Sequence, residues 1–215
     1  MKKFSAAVLA LVMAFSMAAC SSNNGQKGSE NTKATTQATT EATKESSKET
    51  NAPAKDATPE EIEAAIAKKL GDGYLCTVNI PEEELSFGAL GYVDLTTIEK
   101  YVAKQTTVPS VNLDNVIVVK CKPGTADKAV EGFNQSLAQT VEYIRQYPFG
   151  VAKVEGTRIC KVGDTVVFVM AGAAYEGENA EEAAKLAKAE YAKVDEALSS
   201  VFGSVPENLA VIPKA

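Results

Sequence analysis

Four cysteines, two arginines and no histidine or tryptophan set the chemistry open to this 215-residue chain. Without imidazole there is no Ser-His-Asp or Cys-His nucleophile, no histidine-bound zinc and no histidine pH switch. Cys76, Cys121 and Cys160 are far apart and form no C-x-x-C pair, which leaves out metal ribbons and thioredoxin-like redox motifs. Cys121 and Cys160 both fall in apolar, strand-like runs, so a disulfide between them and inert buried thiols both fit the pattern. Acids cluster twice, at Glu82–Glu84 and at Glu176, Glu178, Glu181 and Glu182. Neither cluster has the alternating acids and central glycine of a calcium loop, and acids at a helix start complement its dipole without any ligand. A paired-carboxylate glycosidase needs an aromatic-lined sugar groove, for which the sequence gives no sign. No serine in the C-terminal region begins an S-x-x-K, and neither G-x-x-x-x-G-K nor G-x-G-x-x-G occurs. These patterns assign no catalytic residue, no metal ligand and no cofactor. The one aromatic cluster is Tyr143, Tyr147 and Phe149, around Pro148. It reads either as an interaction patch, since tyrosine anchors interfaces, or as the end of an amphipathic helix folded onto a sheet.

Cys20 has the most specific setting of the four thiols. Lys2 and Lys3 precede an uncharged run from Phe4 to Ala19 that ends in Met17-Ala18-Ala19. A basic start, an apolar middle and small residues before a cut describe a secretory signal peptide. At 16 residues the run is shorter than the ~20 needed to span hydrocarbon. With cysteine at the cut it resembles the lipobox of a bacterial lipoprotein, in which Cys20 becomes the lipid-bearing first residue. A glyceride plus a further acyl chain such as palmitate anchors stably, where one chain alone is marginal.

Residues 21–57 contain no Val, Ile, Leu, Met, Phe, Tyr or Trp, and their five lysines balance five acids. Such a segment buries too little to offset the entropy of ordering. It reads as a tether spanning about 35 Å as a flexible coil. The expected organisation is therefore a signal peptide over 1–19, a lipidated cysteine with its tether over 20–57, and one domain over 58–215. The whole chain carries −6, and the leader contributes +2, so the domain carries about −8. That disfavours nucleic acid and anionic lipid surfaces as partners.

Within the domain, Thr58-Pro59-Glu60-Glu61 is a capping box with proline at the first helical position, and Ile62, Ile66 and Leu70 form one stripe. Residues 74–80 alternate as a short strand would, and a short helix is expected near 82–90. Asp94 with Leu95, Ile98 and Val102 predicts a second helix. Asn115–Cys121 is apolar on both faces and predicts a central strand. Residues 126–144 repeat apolar positions at 4-3 spacing, the best helical pattern in the chain, ending before Pro148. Residues 151–161 and 165–171 read as strands of a hairpin turned at Gly163-Asp164. Asn179 and Glu182 open a last helix that Gly203 stops, and residues 209–212 suit an edge strand. The order β-α-β-β-α, preceded by N-terminal helices, predicts an α+β two-layer sandwich: a mainly antiparallel sheet covered by amphipathic helices.

The succession GYVDLTTIEKYV, DNVIVVKCKPGTADKAVEGFNQSL, YP and VEGTRICKVGDTVVFVMA resembles a domain of unknown function in small lipoproteins of Gram-positive, often anaerobic, bacteria. The resemblance covers about residues 58–202 and implies an address and a fold, with no activity or catalytic residues attached. Taken together, the chain is expected to be an extracytoplasmic lipoprotein on the outer face of the cytoplasmic membrane, held by the lipid on Cys20. Its domain would bind an envelope protein or a small molecule. A histidine-free envelope hydrolase and a structural accessory of a transport or secretion system are the alternative expectations.

Overall fold

The computed structural model describes residues 56–108 and 112–214. Cys20 and the leader and tether around it lie outside these residues, apart from the last two positions of the tether.

Helix α1, Pro59–Leu70, starts as its sequence dictates. The Thr58 hydroxyl accepts from the Glu61 amide and the Glu61 carboxylate accepts from the Thr58 amide. The chain then makes a two-residue strand β1, Val78–Asn79, and short 3-10 turns at Glu82–Glu84 and Gly88–Leu90. Strand β2 is Ile98–Gln105 and β3 is Asn115–Cys121; α2 runs from Ala126 to Ile144 and α3 from Pro148 to Glu155. Strands β4, Arg158–Val162, and β5, Thr165–Met170, form the hairpin, and α4, Ala180–Phe202, follows. The five strands lie in the order β1-β2-β3-β5-β4, every pair antiparallel.

The class is α+β, an antiparallel sheet clothed by amphipathic helices. Alternation along β3 and β5 divides the apolar residues between two cores. Ile117, Val119, Val166 and Phe168 face α2, where Phe133 stacks on Phe168 at 5.3 Å between ring centroids. Val116, Val118, Val167 and Val169 face the other way, onto Ile62 and Ile66 of α1 and Tyr191, Val194 and Leu198 of α4. Because both faces are covered, β5 is buried at all six positions, which is why its sequence reads as an unbroken apolar run. On the α2 side, the backbone of residues 92–93 presses against the helix at Gly132, where a Cβ would lie 2.5 Å from the Tyr92 carbonyl oxygen.

Four elements differ from the sequence expectation. The short helix expected near 82–90 is two separate 3-10 turns. The helix expected from Asp94 is only a 3-10 turn, Leu95–Thr97, before the chain extends into β2. Asp94 still caps that turn, accepting from the Thr96 amide at 3.0 Å, but the edge of β3 offers residues 98–105 a full ladder that local spacing does not reveal. A register shift between Ile98 and Lys100 lets two periods overlay one another. The strand expected from residue 151 starts only at Arg158, because Pro148 opens α3 at a position where no N–H is required. The tail makes no strand. Leu209 gives one backbone hydrogen bond to Ile159, and the Asn208 side chain accepts from the Ile159 amide, so the tail caps the β4 edge at one point.

The three thiols among the described residues are all buried and unpaired. Cys121 belongs to the α2 core, whereas Cys160 and Cys76 belong to the opposite one. Strand β5 also stands between the strands carrying Cys121 and Cys160. A disulfide between those two is therefore excluded by the sheet itself.

A crevice floored by a buried ion pair

Asp114 closes the loop before β3, a central strand with four consecutive buried residues from Val116 to Val119, and its side chain is completely buried. Lys153 reaches it from α3. The ammonium donates to Asp114 Oδ1 at 2.8 Å and to the Gly172 carbonyl at 2.9 Å. Asn112 holds the loop by accepting from the Asp114 amide at 3.0 Å. Burial pushes the Asp114 carboxyl above its usual range, while Lys153, Asn112 and the Gly172 amide pull it back. Even so, Asp114 Oδ2 has no hydrogen-bond partner among the described residues. Leaving a buried acceptor unmade costs about 1–3 kcal/mol, more when it is charged, so such an atom calls for an explanation.

The ion pair floors a crevice of about 240 Å³ between α3 and α4. Its walls are mostly apolar: Ile144, Val154, Met170, Ala183 and Leu186 all line it.

Each wall has a structural cause. Gly172 adopts φ +143°, a region L-residues rarely enter, and this turns the chain out of β5 under Lys153. Glu190 of α4 then fixes the next residue, accepting from the Ala173 amide at 3.0 Å. Helix α3 is held by Tyr191, whose hydroxyl donates to the Lys153 carbonyl at 2.7 Å and is pushed toward higher pKa by burial. Gly156 makes room for that ring: a Cβ there would meet Tyr191 Cε2 at 2.3 Å. Arg158 lies over the ring at 4.9 Å and grips Asp195 through two nitrogens at 2.8 and 3.0 Å. At the α4 entrance, Asn179 Oδ1 accepts from the amides of Glu181 and Glu182. The Tyr175 hydroxyl accepts from the Asn179 amide and donates to Glu182, so the capping box expected of Asn179 and Glu182 is closed through a tyrosine.

Tyr143 and Tyr147 do not enter this crevice. Their rings stand together on the surface, 5.5 Å apart and tilted by 50°, each about half exposed. Neither lines the crevice, although Ile144, next to Tyr143 in α2, and Gly150, whose amide donates to the Tyr147 carbonyl, both do. The Phe149 side chain is outside the described structure. The glutamates at 82–84 sit exposed on a 3-10 turn, and among the described residues no group of three His, Cys, Asp or Glu is placed to hold a metal.

Sequence reasoning passed over both members of the ion pair. Asp114 falls just ahead of the expected central strand and was given no role, and Lys153 lies in a run expected to be a strand. The available signal was an acid directly before a strand apolar on both faces, which puts that acid at the buried end of a sheet.

Fold and site together define a small α+β domain with two closed cores and an apolar crevice over one buried ion pair. Compared with known proteins, the chain matches no family model, no curated sequence and no solved structure.

Proposed function

We propose that this protein is a lipid-anchored extracytoplasmic binding module whose α3–α4 crevice takes up a small, mainly apolar molecule. The observation that carries this reading is the crevice itself, whose mostly apolar walls of Ile144, Val154, Met170 and Leu186 also hold the polar side chains of Asn112, Lys153 and Tyr175. A pocket of apolar walls with a few fixed polar groups is the usual form of a small-molecule site. The residues around it suit binding better than hydrolysis. Lys153 is engaged by a carboxylate and a carbonyl rather than by a serine. The Cys76 thiol is pushed up by burial, and further by Asp114, so it stays protonated and weakly nucleophilic.

The address rests on the lipobox-like setting of Cys20 and on the apolar-free tether, with the lipoprotein resemblance in support. Among the described residues no helix is long and apolar enough to cross a membrane. A second reading, docking to an envelope protein, is favoured by the exposed, mutually packed rings of Tyr143 and Tyr147.

The methyl resonance of Met170 tests the binding reading directly, because Met170 lines the crevice and is the only methionine beyond Met17. Small aromatic probes should shift it in a saturable way, and Ala183→Leu, which fills the crevice, should abolish the shift. An unmoved resonance across all probes overturns the reading. Separately, Cys20→Ser should move the protein from the membrane pellet to the supernatant, and unchanged pelleting refutes the anchor.

A further inference from the structure

We propose that the loop from Ser86 to Tyr92 and the adjoining face of α2 form a second binding site, a basin that takes a neutral sugar chain. One sugar ring lies against Phe87 and Tyr92 while Ser86, Gln139 and Thr140 meet its hydroxyls. The basin shares no lining residue with the α3–α4 crevice, so it does not depend on the reading given for that site.

The loop presents two rings to solvent. Phe87 is 71% exposed, the most of any large apolar side chain among the described residues, and Tyr92 is 46% exposed. One exposed phenylalanine alone is ordinary on a protein surface. Here the loop that carries it is fastened down. Leu85, Ala89, Leu90 and Val93 are buried in the α2 core. The Phe87 amide donates to the Glu84 carbonyl and the Val93 amide to the Leu90 carbonyl, both at 2.9 Å. Gly88, at φ +61°, makes the turn between the two rings in a region L-residues rarely enter. A loop ordered before anything binds has less freedom to lose on binding.

Helix α2 supplies the polar side. Gln139 Nε2 donates to the Tyr92 hydroxyl and so ties loop to helix. The Thr140 hydroxyl donates to the Ser136 carbonyl at 3.0 Å. These bonds leave the Tyr92 hydroxyl its proton to donate, and leave the Gln139 carbonyl and the Thr140 oxygen as acceptors. Gln139 is exposed, Thr140 is half-buried, and Ser86 adds an exposed hydroxyl. The space they enclose is about 380 Å³, within the range of small-ligand clefts.

The class of ligand follows from this lining. A sugar ring offers a face of C–H groups, which the negative face of an aromatic ring attracts, and a rim of hydroxyls that each give and accept a hydrogen bond. Ser, Thr and Gln provide four of the eight lining residues and none of the eight is charged. A carboxylated or phosphorylated sugar would find no cation here. It would instead approach exposed Glu82–Glu84 on the turn just before the loop, in a domain of about −8. A peptide strand needs a sheet edge and a peptide helix needs an apolar groove, whereas a loop and a largely polar helix face build this basin.

The test uses the full chain in phospholipid nanodiscs and saturation-transfer difference NMR, with empty nanodiscs as the blank. The probes are cellotriose, maltotriose and triacetylchitotriose as neutral sugars, trigalacturonate as an anionic one, and acetyl-triproline amide as a peptide. Saturating the protein's aromatic protons should pass to the ring C–H protons of at least one neutral trisaccharide, in a saturable way. Phe87→Ala should weaken that probe about tenfold, the worth of covering one ring face, with the melting point unchanged because the ring stands in solvent. Trigalacturonate should bind at least tenfold more weakly. Ala183→Leu, which fills the crevice, should leave sugar binding as it was.

No transfer to any neutral trisaccharide overturns the proposal, and so does an affinity that Phe87→Ala leaves intact. Trigalacturonate binding as tightly as the neutral sugars overturns the charge argument. Binding of the triproline peptide with the sugars silent assigns the basin to a peptide instead. Sugar binding lost in Ala183→Leu and kept in Phe87→Ala moves the ligand to the crevice and overturns the second site.

Discussion

Replacing Lys153 with Met removes the cation hydrogen-bonded to the buried Asp114 carboxylate and takes a donor from the Gly172 carbonyl. The Asp114 side chain is 0% exposed and that of Lys153 is 18% exposed. Breaking a buried pair by deleting one member costs about 3–5 kcal/mol, and the partial exposure of Lys153 places the effect near 3. For a domain of this size that corresponds to a melting point lower by about 10 °C.

The loss should depend on pH with a definite sign. The Asp114 carboxyl is already raised by burial, and Lys153 is the largest influence pulling it down, so Lys153→Met raises it further. A carboxyl held above its unfolded value of about 3.9 binds its proton more tightly when folded. The cost of keeping it ionised is present above the folded-state pKa and disappears as pH falls through that value. Urea unfolding at pH 7 and pH 4 should therefore show the gap between wild type and variant shrinking at the lower pH, with the slope on urea unchanged. Asp114→Leu/Lys153→Met, which removes both charges, should recover most of the stability. A loss under about 1 kcal/mol at pH 7 would refute the assignment of a buried, charged pair. So would a gap equal at both pH values.

Gly132→Ala should cost about 1–3 kcal/mol in urea unfolding, because its Cβ meets the Tyr92 carbonyl oxygen at 2.5 Å and the helix must shift away from residues 92–93; an unchanged midpoint would mean this contact is loose. Tyr191→Phe removes the hydroxyl that fixes the Lys153 carbonyl and should lower stability by about 1 kcal/mol while weakening probe binding at Met170; weaker probe binding with full stability would mean the ring alone anchors α3. Burial raises the thiols of Cys76 and Cys121, and pushes that of Cys160 up to about 12. A thiol reagent at pH 8 should therefore label these three only at the rate of unfolding, and fast labelling of any one in the folded protein contradicts the core assignment.

Local chemistry in the sequence was enough wherever one residue answers to its neighbours along the chain. Thr58 and Glu61, Asn179 at the start of α4, and Gly203 at its end in a left-handed conformation all act where their types and spacing indicate. The apolar runs of β3 and β5 likewise announced central strands. Legibility failed where a distant partner decides. Leu95, Ile98 and Val102 are spaced for a helix, but β3 recruits the segment as a strand. Valines at 151 and 154 resemble a strand, yet Pro148 starts a helix ahead of them. The crevice was illegible for the same reason. Asp114 and Lys153 are 39 positions apart and meet only because β3, β5 and α3 converge at one end of the sheet.

The division of the interior by the sheet bears on how this polypeptide would survive outside a reducing compartment. An odd number of thiols is a hazard for a secreted chain, since mispairing can trap it half-made. Here the antiparallel wall keeps Cys121 in a different chamber from Cys76 and Cys160. Oxidant that fails to open the chamber meets no sulfur, and a mispaired bridge across the wall would require pulling the sheet apart. Once folded, the three described thiols are shielded by the cores that hold them, and none of them takes part in a disulfide.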